Sequence, residues 1–109
     1  MTKVELIQTI ADDITQLDVF RSQFPLGTGA RTQLDNVRDQ LDAQLKQLIR
    51  TAFAENTAAW TTASTRVSDI NADLKTTIDD LNRVVETLSS FVALAGALDG
   101  LLKTVAPLL

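Results

Sequence analysis

A heptad repeat of apolar residues in the second half of the chain constrains the fold more than any other feature. In alternating steps of three and four from Trp60 to Val105, every position is apolar except Thr77. A repeat sustained for about six heptads is typical of a helix with one side buried against other helices. The residues that we predict to form an interaction stripe are Trp60, Val67, Ile70, Leu74, Leu81, Val84, Leu88 and Phe91.

A second apolar column runs beside this stripe at seven-residue spacing and consists of Ile78, Val85 and Val92. It widens the apolar side to three positions per heptad, which favours a helical bundle over a bare two-stranded coil. We therefore predict an all-α fold, an elongated helical bundle or coiled-coil hairpin. Its three helices cover about 3–23, 31–56 and 58–105, with the alternative that the last two merge into one long helix.

The first part of the chain indicates a short amphipathic helix that ends in a loop. Thr2 and Glu5 form a capping-box pattern, and Pro25 with the glycines after it ends the helix. The apolar stripe of this helix is Ile7, Ile10, Ile14 and Leu17. We predict one helical domain over 1–109, divided into a short helix (3–24), a Pro/Gly loop (25–30), a long amphipathic region (31–90) and an apolar tail (91–109).

The long region contains neither glycine nor proline from Arg31 to Ala95. A single straight helix of that extent would be about 100 Å long, so the chain either bends or forms a rod. Glu55, Asn56 and Thr57 are the best candidates for the bend, because Asn and Thr can cap a new helix. Thr32 with Asp35 predicts a weaker cap at the start of the region. Charge pairs on its polar side are Arg31 with Asp35, Arg38 with Asp42, and Asp42 with Lys46.

The tail differs from the rest because no charged residue occurs from Thr87 to Leu98. An almost wholly apolar helix is surrounded either by protein or by lipid. Asp99 and Lys103 disfavour a permanent membrane anchor, although an ion pair between them would lower the cost of insertion. The residues of this candidate close-packing or membrane segment are Leu94, Gly96, Leu98, Gly100, Leu101 and Leu102, among which the two glycines form a Gly-x-x-x-Gly pair.

The composition offers little for catalysis or cofactor binding. The 109 residues include no cysteine and no histidine, and the net charge is −4. Cysteine and histidine are the usual ligands of zinc, haem and iron–sulfur clusters, and nucleic-acid binding needs a basic surface. We expect no cofactor, no metal, no nucleic acid and no enzymatic activity. Adjacent carboxylates such as Asp12 and Asp13 are interpreted as solvated surface.

Three functions fit these features, and the long stripe favours the first. It is a helical interaction or assembly module that forms a homo-oligomer or binds a helical partner through the stripe. The second is a conditional membrane-inserting or pore-forming-type protein that uses 91–109. The third is a small binding or chaperone-like bundle. No cleavable signal peptide is visible, so a cytoplasmic location is the default expectation.

Overall fold

The computed structural model describes the backbone of residues 1–105 and the side chains of residues 1–103. This part of the chain is all-α and contains no strand. The four helices are α1 (Lys3–Arg21), α2 (Gly29–Arg50), α3 (Ala58–Thr77) and α4 (Val84–Val105), with a short 3-10 turn (Leu81–Arg83) before α4. The prediction of an all-helical fold is therefore confirmed, whereas the number of helices was one too low.

Threonine hydroxyls begin the first three helices by satisfying backbone N–H groups that have no carbonyl partner inside the helix. Thr2 and Glu5 form the predicted capping box at the start of α1. Thr57 accepts a hydrogen bond from the Trp60 N–H, as expected for the cap of α3. Thr28, not Thr32, caps α2, because its hydroxyl accepts from the Arg31 N–H and the helix begins at Gly29.

The chain bends between α2 and α3, so a rod made by merging these two helices is excluded. The prediction that α2 extends to residue 56 was wrong, because Thr51 adopts an extended backbone conformation directly after Arg50. Lys3 holds this bend from α1. Its ammonium donates a 2.6 Å hydrogen bond to the Thr51 carbonyl, and its backbone N–H donates to the Glu55 carboxylate at 2.6 Å. A cation is favoured at this place, since the C-terminal end of a helix is partially negative.

The predicted continuous helix over 58–105 was also wrong, because the chain turns between Thr77 and Val84. This turn contains neither glycine nor proline. The side chain of Asp80 accepts a 3.0 Å hydrogen bond from the Asn82 N–H, which replaces helical bonding with a local turn. The Arg83 side chain donates to the Thr76 carbonyl at the end of α3. These polar contacts end one helix and start the next without the usual breaking residues.

The helices form two antiparallel hairpins, α1 with α2 and α3 with α4. The hairpins join along α2 and α4, which run in the same direction, and the buried Gln44 side chain donates a 2.9 Å hydrogen bond from α2 to the Ala95 carbonyl of α4. Helix α1 runs beside α3 but approaches it less closely than it approaches α2. The described residues measure 42 × 24 × 18 Å.

A single apolar cluster from all four helices fills the bundle, and its largest buried side chains include Phe20, Phe91, Leu41 and Leu74. Ion pairs connect α1 to α2 at the edge of this core. The Arg21 guanidinium bridges Asp18 and Asp35 at 2.8 Å each, while Arg38 reaches Asp18 at 3.1 Å. The predicted pairs within α2 are present as well, at 2.9 Å for Arg31–Asp35, 3.9 Å for Arg38–Asp42 and 3.0 Å for Asp42–Lys46.

Candidate functional site

Most of the predicted interaction stripe lies inside the bundle. Five of its residues are buried, namely Trp60, Val67, Ile70, Leu74 and Phe91. Val84 and Leu88 are half-buried and pack against the core, whereas Leu81 is exposed in the turn before α4. Since a residue buried in its own chain offers no surface to a partner, the five buried residues of the stripe belong to the internal seam of the bundle.

The apolar segment of α4 divides into an inner and an outer side. Leu94, Leu98, Leu101 and Leu102 are buried, whereas the two glycines, Gly96 and Gly100, lie on the exposed side. Residues 106–109 of the predicted apolar tail lie outside the described residues. The glycines therefore do not bring α4 close to another helix of this chain.

The outer face of α4 is a continuous row of residues, small or apolar from Val85 to Gly96 and charged at Asp99 and Lys103. We define it by its members, which are Val85, Ser89, Val92, Gly96, Asp99 and Lys103. They follow one another in steps of four and three, so they form a straight row along an α-helix. All are exposed except Asp99, which is half-buried. The prediction that Val85 and Val92 widen the buried side of the bundle was wrong.

Two valines on the outer face expose more than half of their side chains, as Val4 and Val19 do on α1. Val85 retains 73% and Val92 55% of its full accessibility. Gly96 lies one turn after Val92, and a Cβ atom built on it would meet no atom within 4 Å. Glycine inside a helix costs about 1 kcal/mol relative to alanine. The packing within the chain gives no reason for this cost.

Charged residues stand at both ends of the outer face and sum to zero. Near the N-terminal end, Arg83 pairs with Glu86, and its Nε donates to the Glu86 carboxylate at 3.0 Å. Near the C-terminal end, Lys103 and Asp99 form an ion pair of 2.9 Å. The hydrogen bond to Asp99 raises the pKa of the Lys103 ammonium. The middle of the face carries no charge, so an apolar surface can cover it without desolvating an ion.

Shallow grooves accompany the outer face on both sides and at opposite ends. One groove, about 280 Å³ in volume, lies between α2 and the first half of α4 and is lined by Gln33, Asn36, Val37, Gln40, Leu88 and Val92. The other, about 220 Å³, lies between α3 and the second half of α4 and is lined by Ala59, Thr62, Ala63, Arg66, Ala97, Gly100 and Leu101.

A separate groove of about 410 Å³ opens where α1 and α3 lie apart. Val19, exposed to 61%, stands at its rim, and Phe20 and Ile78 line its apolar part. Lys75 and Asp79 supply one charge of each sign. The groove shows that the contact between α1 and α3 is the least complete in the bundle.

Asp13, which was predicted to lie on the surface, is a buried carboxylic acid. It retains 1% of its accessibility, and within the described residues its Oδ2 atom has no hydrogen-bond partner. Burial, with a smaller contribution from the charge of Asp12, raises the pKa of the Asp13 carboxyl from 3.8 to about 7, and Lys75 acts in the opposite direction. One signal of this burial is present in the sequence, since Asp13 continues the three–four spacing between Ile10 and Leu17.

The described residues hold little that binds a metal ion. Among residues 1–105 no group of three or more carboxylate, histidine or cysteine side chains lies close enough together to ligate one. The stretch Leu81–Lys103 is long and apolar enough to cross a bilayer by length and composition, and 39% of its central window is buried inside the bundle. A core helix of a protein in water has the same properties, so this is weak evidence for a membrane span.

The chain has no significant match among protein-family models, curated proteins or solved structures.

Proposed function

We propose that the protein is a non-enzymatic helical assembly module that associates with a second copy of itself through the outer face of α4. The observation that carries this proposal is the exposure of Val85 and Val92 on one straight row with Gly96. The surface differs from the stripe that the sequence suggested, because that stripe serves the core of the bundle. The kind of association, helix against helix, stays the same.

The apolar character of the outer face supports association. Covering the exposed parts of Val85 and Val92 removes apolar surface from water, which is favourable by about 25 cal/mol for each Å². A scattered exposed valine needs no explanation, but a row of apolar and small residues on one helix marks a contact surface. Gly96 lowers the surface at the centre of the row, so that another helix can approach closely.

The charges of this surface favour a copy of the same chain as its partner. A strongly acidic or basic partner would need a surface of opposite sign, and here Arg83, Glu86, Asp99 and Lys103 cancel. Each end of the surface carries one charge of each sign, so a second copy meets no excess of like charge there in either orientation. The net charge of −4 on each copy opposes association, and a contact surface without net charge adds nothing to that repulsion.

The test is the molar mass in solution, measured by light scattering during size-exclusion chromatography. We expect wild-type protein to have twice the chain mass of 11.9 kDa, and Val92→Lys to have the mass of one chain. Val19→Lys is the matched control, because Val19 is similarly exposed but lies on α1 beside the other groove. The proposal is overturned if the wild type stays at 11.9 kDa at high concentration, or if Val19→Lys dissociates it and Val92→Lys does not.

The second candidate function is conditional insertion into membranes, and the observation that favours it is the apolar length of Leu81–Lys103. Insertion would require α4 to leave the bundle, because Phe91, Leu94 and Leu98 are buried against the other helices. The test is co-flotation with vesicles of neutral and anionic phospholipid, together with release of a trapped dye. If flotation and dye release occur with Val92→Lys as well as with the wild type, membrane insertion replaces assembly as the proposed function.

A further inference from the structure

We infer that Asp13 makes the contact between α1 and α3 sensitive to pH. The two helices stay packed while its carboxyl is protonated, and the second half of α1 moves away from α3 when the carboxyl ionises. This movement is independent of the proposed function, because no residue of the outer face of α4 takes part in it. Three observations carry it, namely the burial of Asp13 without a partner, the incomplete contact between α1 and α3, and the groove beside Asp13.

Asp13 lies on the side of α1 that faces α3. It forms one row with Gln16 and Phe20, in steps of three and four residues along the helix, and both of these residues line the groove between the two helices. Lys75 of α3 lines the same groove, and its charge acts on the Asp13 carboxyl. Asp13 therefore lies where the closed part of the contact between α1 and α3 meets the groove, within about one helical turn of it.

The closed contact suits the protonated form of Asp13. The residue is almost wholly buried, and among the described residues its Oδ2 atom has no hydrogen-bond partner. An ionised carboxylate loses far more than a neutral carboxyl when it leaves water without a partner. Burial accordingly raises the pKa of Asp13 to about 7. Ionisation near neutral pH thus places an unsatisfied charge inside the seam between the helices.

The charges that act on Asp13 within the described residues do not neutralise it. They belong to Asp12 on α1 and Lys75 on α3. Asp12 raises the pKa of Asp13, as burial does, because a second negative charge disfavours ionisation. Lys75 lowers this pKa, but it is exposed to solvent, and burial has the larger effect. The carboxylate therefore gains more from water than from its neighbours.

The other two helices leave the carboxyl of Asp13 without a counter-ion. Arg38 of α2 pairs with Asp18, which lies five residues after Asp13 and so about 140° around α1. In α4 no charged residue occurs from Thr87 to Leu98. The ion pair with Arg38 holds α1 on α2, so α1 can move away from α3 while it keeps its contact with α2.

The groove gives water the shortest route to the carboxylate. The start of α1 is fixed against α3, because the Trp60 indole N–H donates a 2.7 Å hydrogen bond to the Met1 carbonyl. Beyond Asp13 the helices already lie apart around a groove of about 410 Å³. A displacement of the second half of α1 extends this groove by about one turn, or 5.4 Å, and hydrates Asp13. The contact is therefore closed below pH 7 and opens above it.

Hydrogen–deuterium exchange of the intact chain at pH 5.5 and pH 8.5 tests this movement. A helix that loses its packing is marginal, so the amides of 14–21 should lose protection when α1 moves away. We expect their protection, relative to that of 91–98 in α4, to fall at least tenfold between the two pH values. Correction for the effect of pH on exchange itself is applied to both segments. Loss of protection by the same factor in both segments, or in neither, would overturn the local opening.

Three variants show whether Asp13 is the group that titrates. Asp13→Asn cannot ionise, so the relative protection of the two segments should stay constant with pH. Lys75→Gln should move the midpoint of the change to higher pH, because Lys75 lowers the pKa of Asp13. Asp12→Asn should move it to lower pH, because Asp12 raises that pKa. An opening that persists in Asp13→Asn, or midpoints that do not respond to the other two substitutions, would overturn the role of Asp13.

Discussion

The hydroxyl of Thr87 donates a 2.9 Å hydrogen bond to the hydroxyl of Thr77, and both side chains are buried. This contact joins the last residue of α3 to the first turn of α4, across the turn that separates them. Thr77 is the only polar residue in the heptad stripe of the sequence. The structure gives the reason for its polarity, since it marks where the stripe leaves one helix and continues in the next.

We expect substitutions of Thr77 and Thr87 to have strongly non-additive effects on the free energy of unfolding. Thr87→Val removes the donor and leaves the Thr77 hydroxyl buried without its partner, so unfolding should become easier by about 1–3 kcal/mol. The double variant with Thr77→Val removes both hydroxyls and should recover most of this loss. Urea unfolding followed by the fluorescence of Trp60 measures both. A double variant whose loss equals the sum of the single losses would show that the hydroxyls do not act as a pair.

Because Asp13 is buried, we expect the free energy of unfolding to fall as the pH rises towards neutrality. Its pKa is about 7 in the folded chain and 3.8 when unfolded, so the folded state binds more protons between these values. Folding is therefore favoured at the acidic end of this window, and the loss is complete above pH 7. A change in pKa of this size corresponds to up to about 4 kcal/mol.

The variant that tests this is Asp13→Asn, which has nearly the same shape and does not titrate. It should be more stable than the wild type above pH 7 and should lose most of the dependence on pH between 4 and 7. Asp12→Asn is the matched control, because the Asp12 carboxyl is exposed and contributes less than burial to the raised pKa of Asp13, so this variant should keep most of the dependence on pH. Urea midpoints recorded across this pH range would contradict the prediction if the two variants behaved alike.

We expect the N-terminus of the chain to contribute measurably to the free energy of unfolding through its contact with Trp60. Its indole N–H donates a 2.7 Å hydrogen bond to the Met1 carbonyl, and its ring packs against Phe53 with 5.4 Å between the ring centroids. Trp60→Phe keeps most of the apolar volume but loses the donor, so the free energy of unfolding should fall by about 1–2 kcal/mol. Since this variant removes the fluorescent probe, helical circular dichroism serves as the measurement. An unchanged urea midpoint would mean that the contact contributes nothing to stability.

We expect substitution by alanine to have opposite effects on stability at Gly96 and at Gly27. Gly96→Ala adds a methyl group where nothing lies within 4 Å, so a single chain should gain about 1 kcal/mol from better helix propensity. Gly27→Ala should cost about 1 kcal/mol or more, because Gly27 has a φ of +88°, which favours glycine. Urea unfolding in the Val92→Lys background keeps association out of both measurements. If both substitutions destabilise the chain, Gly96 has a role inside the bundle.

The start of two helices could be predicted from neighbouring residues alone. The capping box of Thr2 and Glu5 forms as expected, and Thr57 caps α3. Such caps are local, because a side chain satisfies backbone groups two or three residues away. The turn at Asp80 was missed, since an aspartate inside an apolar heptad pattern does not differ in sequence from an exposed residue of a continuous helix.

The sequence by itself determined that the chain is helical and that α4 has a stripe of apolar residues, because heptad spacing repeats on one side of a helix. Two further columns of apolar residues at seven-residue spacing lie beside that stripe, one with Val85 and Val92 and the other with Leu94 and Leu101. The spacing does not show which of the two is buried. Only the tertiary structure decided between them, and it buries the leucines and exposes the valines. The spacing of a sequence defines the faces of a helix, but the positions of α2 and α3 around α4 decide which face meets the core.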